Sequence, residues 1–354
     1  MDFINAISCI KTLNNAIGDL IYKYLYGWIS GWSDSWTVIG AFGVTVIMFT
    51  IFLKVAVSPL DIWQKQVMRK NAKKMEEMKP ELEKVQKQCG SNRELLMQKQ
   101  REVYKKHKYS MFGSCLPMIV TLVVFFIVFG GYNAAVSKHT YITYEALEKV
   151  YTETYDAPEN ATLTDDERTA KAEAAVLETY ETKYKEPFFW VKNIFSADTW
   201  AKAIAPAATA EKNMKNYNVE LNTARYNIVM KPLMEKYNYT SSGSGAWNGY
   251  LILPIIVLGL NVLSVFLNKA QMQTPSVPGQ TAEQAKASQS QQKIMQFIMP
   301  AMMFVFALFY SAAFTLYMAV NMLFTTIINL VYNFITKRKD AAEKDRRLST
   351  TYKR

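Results

Sequence analysis

Residues 294–335, IMQFIMPAMMFVFALFYSAAFTLYMAVNMLFTTIINLVYNFI, are 42 consecutive positions without one Asp, Glu, Lys or Arg. At about 1.5 Å per residue a single helix of that length would be about 63 Å long, twice the roughly 30 Å of a hydrocarbon core. The run is therefore expected to fold back as two spans, 294–311 and 313–335, reversing at the small residues Ser311, Ala312 and Ala313. Outward from it, three more apolar stretches reach the length of about 20 residues that a crossing helix needs, at 36–58, 111–135 and 246–267. The fold class that follows is an all-α membrane protein with five transmembrane helices.

Orientation comes from the charges between the spans. The chain has 354 residues and a net charge of +11. Segments 59–110, 268–293 and the tail 336–354 are all basic and together carry +14, whereas 1–35 and 136–245 together carry −4. Basic loops stay on the cytoplasmic side. The N-terminus is therefore expected outside and the C-terminus in the cytoplasm.

The segments between spans carry their own signals. In 1–35, Ile10, Leu13, Ile17, Leu20, Ile21, Tyr24, Leu25 and Trp28 recur at spacings of three and four, one apolar stripe on a helix. This reads as an interfacial helix with Trp28, Trp32 and Trp36 at headgroup depth, or as a helix packed on an extracytoplasmic domain. Segment 59–110 is rich in helix formers and broken once at Cys89-Gly90-Ser91-Asn92, which suits a cytoplasmic helical hairpin. Pro80 is expected to kink or restart its first arm. Met68, Met75 and Met78 lie on an apolar seam of that arm and are candidate contacts for clients or partners; a solvated basic spacer is the plainer alternative. The extracytoplasmic insertion, 136–245, is mostly helix-permissive, and Thr164 with Glu167 has the spacing of a capping box ahead of a helix. The basic tail suits anionic lipid or ribosomal RNA, and an ordinary positive-inside anchor accounts for it equally well.

Chemistry-bearing patterns are sparse. His107 and His139 lie far apart, as do Cys9, Cys89 and Cys115, and no CxxC, HExxH, GxSxG or GxxxxGK[ST] string occurs. No metal site, cofactor or enzymatic activity is expected. The conspicuous feature is Lys54, a charge inside the first span, five residues before Pro59. It either lifts its ammonium to the interface or faces a wet cavity between helices, since charges at such depth tend to serve function. Thr121, Tyr317, Asn321 and Asn329 are polar groups that could line the same cavity or simply bond neighbouring helices.

An ordered set of motifs resembles the YidC insertases and their mitochondrial oxidase-assembly and chloroplast Albino relatives. The set is Phe52-Leu53-Lys54-Val55-Ala56-Val57-Ser58-Pro59-Leu60, Lys79-Pro80-Glu81-Leu82, Cys115-Leu116-Pro117, Met299-Pro300 and Leu316-Tyr317. The resemblance covers the spans and the hairpin but not the insertion. It implies a groove in which Lys54, at the position of the family's usual Arg, receives the polar tail of a client while the client's apolar segment enters lipid. Thr121, Tyr317 and Asn321 would line that groove. The pattern also departs from the family: Thr121 stands for a usual Gln, Met318 for a Trp, and Ser311-Ala312-Ala313 for a Pro-Ser-Gly turn, so a less polar groove is expected.

The implied function is a membrane protein insertase and chaperone that uses no nucleotide. Implied partners are nascent membrane proteins with short translocated tails and the lipid bilayer. The Sec translocon is a further candidate partner, as are the ribosome or anionic lipid at the basic tail. With no Arg-rich, acid-poor presequence, the expected location is a bacterial plasma membrane. The rival readings are a small-solute transporter or channel, disfavoured by the lack of inverted repeats, and a membrane-anchored scaffold.

Overall fold

The computed structural model describes residues 2–32, 38–89, 92–109, 111–215, 220–272, 297–298 and 300–351. Among them the regular structure is helical, with isolated bridges and no strand. Helix α1 (Asp2–Asp19) passes into a π-helical turn, Leu20–Tyr26, and a last turn, Gly27–Ser30. There follow α2 (Ala41–Cys89), α3 (Arg93–Lys106) and α4 (Met111–Tyr155). The next helices are α5 (Asp165–Thr179), α6 (Ala207–Lys215) and α7 (Thr223–Asn238). The chain continues with α8 (Ile252–Met272), α9 (Pro300–Phe309) and α10 (Ala312–Thr351). Stretches of α2, α4 and α10 are long and apolar enough to cross a membrane, and shorter apolar helices occur at Ile252–Leu267 and Pro300–Phe309.

Several elements differ from the sequence expectations. Neither Pro59 nor Pro80 ends α2, which runs unbroken for 49 residues from its apolar half to Cys89. Helix α4 continues well past position 135, so the insertion begins as an extension of an apolar helix. The helix break at 310–311 does fall at Ser311, and α10 starts at Ala312. Trp36 lies outside the described residues, while Trp28 and Trp32 are exposed and meet edge to face at 4.2 Å.

The chain divides into two compact units. The first comprises Met1–Phe52, Leu122–Val257 and Phe304–Ala319. In it α1 crosses α4 where both are small. A Cβ on Gly18 would lie 2.7 Å from the Ala134 Cβ, and one on Gly131 would lie 2.3 Å from Ile17. Such glycines let helix backbones approach closely. Asp19 and Lys138 form an ion pair beside the crossing. The apolar stripe of α1 is thus divided: Ile21, Tyr22 and Ile29 are buried, while Leu13, Leu20, Tyr24 and Trp28 are exposed. The insertion has its own core, in which Leu147, Tyr151, Val176, Met214, Val229 and Leu233 pack together. Thr164 caps α5 in the capping box that its spacing with Glu167 implied.

Residues 186–198 of the insertion cap the starts of three helices in this unit. Glu186 Oε2 accepts from the Phe42 N–H at 2.9 Å in the first turn of α2. Its Oε1 accepts from the Tyr26 hydroxyl at 2.7 Å. Gly40 is required here, because a Cβ would lie 2.2 Å from Glu186 Oε2. Asp198, fully buried, accepts from the Tyr250 and Leu253 N–H groups at 2.8 Å, at the start of α8, and from Trp190 Nε1–H at 3.1 Å. The carbonyls of Ser196 and Ile194 accept from the N–H groups of Ala312 and Ala313 at 2.8 and 2.9 Å, opening α10. Helix N-termini carry unpaired N–H groups and partial positive charge, so buried carboxylates and carbonyls are their natural caps.

The second unit comprises Leu53–Thr121, Leu258–Met303 and Val320–Arg354. Here the second half of α2 and α3 form the hairpin. Asn92 caps α3, its Oδ1 accepting from the Leu95 N–H at 3.1 Å. Met75, Met78, Leu82, Val85, Cys89 and Val103 are buried between the arms, and the Lys106 ammonium donates to Glu81 at 2.8 Å.

Two expectations follow from the caps. Asp198→Ala strands three donors, the Leu253 N–H buried and the Tyr250 N–H and Trp190 Nε1–H part-buried, and a buried donor costs about 1–3 kcal/mol when left unsatisfied. Chemical unfolding in micelles should therefore show a loss of about 1–3 kcal/mol; an unchanged midpoint would mean that the cap is dispensable. Burial pushes the Glu186 carboxyl above its ordinary value, against the pull of the Phe42 and Tyr26 donors. A carboxyl raised in the folded state stabilises fully below its unfolded value, about 4.3, and loses that contribution as pH rises through the folded value. The melting temperature of the unmodified chain is expected to fall relative to Glu186→Gln as pH rises from about 4 to 8. A difference independent of pH would contradict this.

Candidate functional site

Pro59 shapes the candidate site within the second unit. It has no N–H to give the Val55 carbonyl four residues back, and the Ser58 hydroxyl donates to that carbonyl instead, at 2.9 Å. Because α2 continues through the proline, residues on either side of it stay on one cylinder. Asp61 and Lys65, seven and eleven residues beyond Lys54, fall within about 20° of it on that cylinder.

Their side chains form an alternating track of charge. Lys54 is only 9% exposed, and its ammonium donates to Asp61 Oδ2 at 3.0 Å. Lys65 turns to α10, where its ammonium donates to Asn329 Oδ1 and lies 5.5 Å from the centre of the Tyr332 ring. Burial pushes the Lys65 ammonium below its ordinary value; Asp61 opposes that shift and Lys54 adds to it. On α10, Asn329 and Thr326 are both buried, and the Thr326 hydroxyl has no hydrogen-bond partner among the described residues. Asn261 of α8 is buried in the same unit.

Chemically, the track is two cations separated by one carboxylate, with the Asn329 amide opposite Lys65. It suits an anionic or strongly polar peptide group. A carboxylate about 4 Å from an ammonium gains roughly 4 kcal/mol at an effective dielectric near 20, before desolvation. Lys54 does not stand alone on its helix: Asp61 pairs with it, and the side chain is largely withdrawn from solvent.

The other sequence candidates are dispersed. Tyr317 belongs to the first unit, 4% exposed, with ring centres 5.3 Å from Tyr132 and 5.8 Å from Phe314. Asn321 belongs to the second unit and is half-buried, and its carbonyl accepts from the Thr325 hydroxyl at 2.8 Å. The side chains of Thr121 and Met68 lie outside the described residues. Met75 and Met78 serve the packing of the hairpin itself, with Met78 fully buried; Leu95 and Met97 are the exposed apolar residues of α3. Asp61 and Lys65 were missed in the sequence because Pro59 looked like a helix end. The 54, 61, 65 spacing would have found them had α2 been continued past it.

A family model described as 60Kd inner membrane protein matches residues 34–340. The membrane protein insertase YidC of Fusobacterium nucleatum is 36% identical over 92 residues, which are 26% of this chain and 43% of that protein. The same-named protein of Caldanaerobacter subterraneus is 34% identical over 86 residues, 24% of this chain and 40% of the relative. That of Jannaschia sp. is 35% identical over 88 residues, 25% and 13%. The chain thus aligns with less than half the length of these curated relatives.

A double-mutant cycle tests the pairing. Breaking a fully buried pair costs about 3–5 kcal/mol, and a pair retaining 10% and 15% side-chain exposure should cost less. Lys54→Met and Asp61→Leu are each expected to lower the unfolding midpoint in micelles, and the double variant to recover most of the loss. Additive losses would mean that the two side chains do not couple.

Proposed function

The chain belongs to the 60Kd inner membrane protein family, and on that footing we propose that it is a membrane protein insertase in which Lys54 and Asp61 form an exchangeable receptor for the polar tail of a client. The observation that carries the reading is the ion pair buried beside Pro59, inside an apolar helix long enough to span a membrane. A client tail carrying a carboxylate replaces Asp61 at Lys54, so one charge pairing is exchanged for another instead of a bare anion being desolvated. Asp61 then turns to Lys65, the second cation four residues on. Asn321, on α10 in the same unit, would add a polar group of the kind the family resemblance implies.

The energy comes from the client. At about −0.3 to −0.6 kcal/mol per strongly apolar residue, a 20-residue segment gains roughly 6–12 kcal/mol on entering the bilayer. The chain needs only to lower the barrier to the tail that precedes it, and that requires no nucleotide. The five-span topology, with the insertion outside and the hairpin and tail in the cytoplasm, is part of this proposal and is supported by the charge asymmetry between segments. Nascent membrane proteins with short tails are the proposed clients, working with or without the Sec translocon.

Reconstitution in liposomes with a short-tailed single-span client tests the reading. Lys54→Ala is expected to lower insertion about tenfold, the equivalent of about 1.4 kcal/mol, and Lys54→Arg to retain it. Asp61→Asn should strengthen crosslinking of an acidic tail to the site and slow its release. Equal insertion by all variants would remove the pair from the mechanism, and no insertion by the unmodified chain would overturn the function.

A further inference from the structure

A cavity of about 650 Å³ lies wholly within the first unit and shares no residue with the Lys54 track. Phe129 and Asn133 of α4 line it on one side, with Phe309 and Tyr310 just ahead of α10; the insertion, between Tyr180 and Met230, lines the other. Thr209 and Lys212 of α6, both exposed, mark its rim. Its volume falls in the range of ligand pockets, roughly 300–1,000 Å³.

Many of the polar groups around this cavity are already engaged in the fold. The Tyr226 hydroxyl donates to the Ala205 carbonyl at 2.8 Å, and the Ser196 hydroxyl to the Ala203 carbonyl at 3.1 Å. Asn193 also donates to the Ala203 carbonyl, at 2.7 Å, and accepts from the Phe195 N–H at 3.0 Å. The Lys202 ammonium donates to the Asn238 carbonyl at 3.0 Å. Others are left over. Tyr180 is 3% exposed, yet its hydroxyl makes no hydrogen bond among the described residues. The half-buried Asn133 amide and the Lys212 ammonium have no partner there either. A nearly buried hydroxyl lining a cavity is satisfied by what the cavity holds, water in one state and a ligand in another. Tyr180 also opens the π-helical turn Tyr180–Tyr184, and such turns are frequent at functional sites.

The unpaired groups select the ligand. A carboxamide and a phenol each donate and accept, as the two halves of a peptide bond require, and an ammonium takes a carbonyl or a carboxylate. An acyl chain would leave all three groups unpaired. A sugar needs an open ring face, but the lining rings are packed on others: His139 on Phe195 at 3.6 Å between centres, Phe129 against Tyr310 at 4.7 Å, and Tyr180 against Tyr237 at 5.8 Å. We propose that this cavity receives a short hydrophilic peptide segment, the translocated tail of a client. That identity rests on the insertase reading and its topology, under which the insertion and the start of α10 place the cavity on the outer side, where such a tail emerges.

Site-specific photocrosslinking in liposomes tests the proposal, with a single-span client whose short tail consists of Asp, Asn, Ser and Gly. A photoreactive residue in place of Thr209 is expected to crosslink the tail about fivefold more than one in place of Glu159, an exposed position of the insertion outside the cavity. Adding Asn133→Leu and Lys212→Gln to the Thr209 probe should lower its yield about fivefold. Tyr180→Phe, which keeps the ring packing and removes only the unpaired hydroxyl, should lower it about twofold and guards against misfolding of the double variant. Protection of the client from protease, measured in the same samples, separates the two claims. Insertion with equal crosslinking at the two positions, or with yields unchanged by the substitutions, would overturn the cavity as a peptide site and leave the insertase reading standing. No insertion by the unmodified chain would overturn both. Crosslinks from position 209 to phospholipid in place of the tail would overturn the peptide in favour of a lipid.

Discussion

A helix leaves its first N–H groups unpaired, and a membrane offers no water to satisfy them. The first unit meets that constraint with one stretch of the insertion. Between positions 186 and 198, two carboxylates and two carbonyls accept from the opening turns of α2, α8 and α10. The insertion is therefore bound to the starts of three apolar helices. Its two acidic caps sit against glycines, Gly40 and Gly249, because any side chain there would occupy the carboxylate's place. Where α2 begins is set by Glu186, far away in sequence.

From that start α2 runs uninterrupted through both prolines. Its continuity makes the candidate site possible, since a kink or restart at Pro59 would rotate Asp61 and Lys65 away from Lys54. The Ser58 hydroxyl bonding to the Val55 carbonyl shows how the helix tolerates the proline. A buried cation with a partner on its own helix is a different device from a solitary one. The partner lowers the cost of keeping the ammonium out of water, and any anion that bound Lys54 would have to compete with a carboxylate.

The hairpin carries a related lesson. Two of the methionines that suggested an adaptable surface for clients, Met75 and Met78, are packed between α2 and α3, and Met78 is fully buried. Short arms with few apolar positions need them for packing. What the hairpin leaves outward is chiefly charge, together with Leu95 and Met97.

The sequence by itself determined the all-α membrane class, the break at Ser311, the capping box at Thr164 and the presence of a charge in the first span. Each depends on local chemistry: run length, small residues, a three-residue spacing, one lysine among aliphatics. The tertiary structure alone decided what Lys54 pairs with, that Met75 and Met78 are buried, and that the insertion caps three helices. Those outcomes turn on whether a proline interrupts a helix and on which distant acceptor reaches a helix end. Such questions are settled by packing over many residues, and no short window of sequence contains the answer.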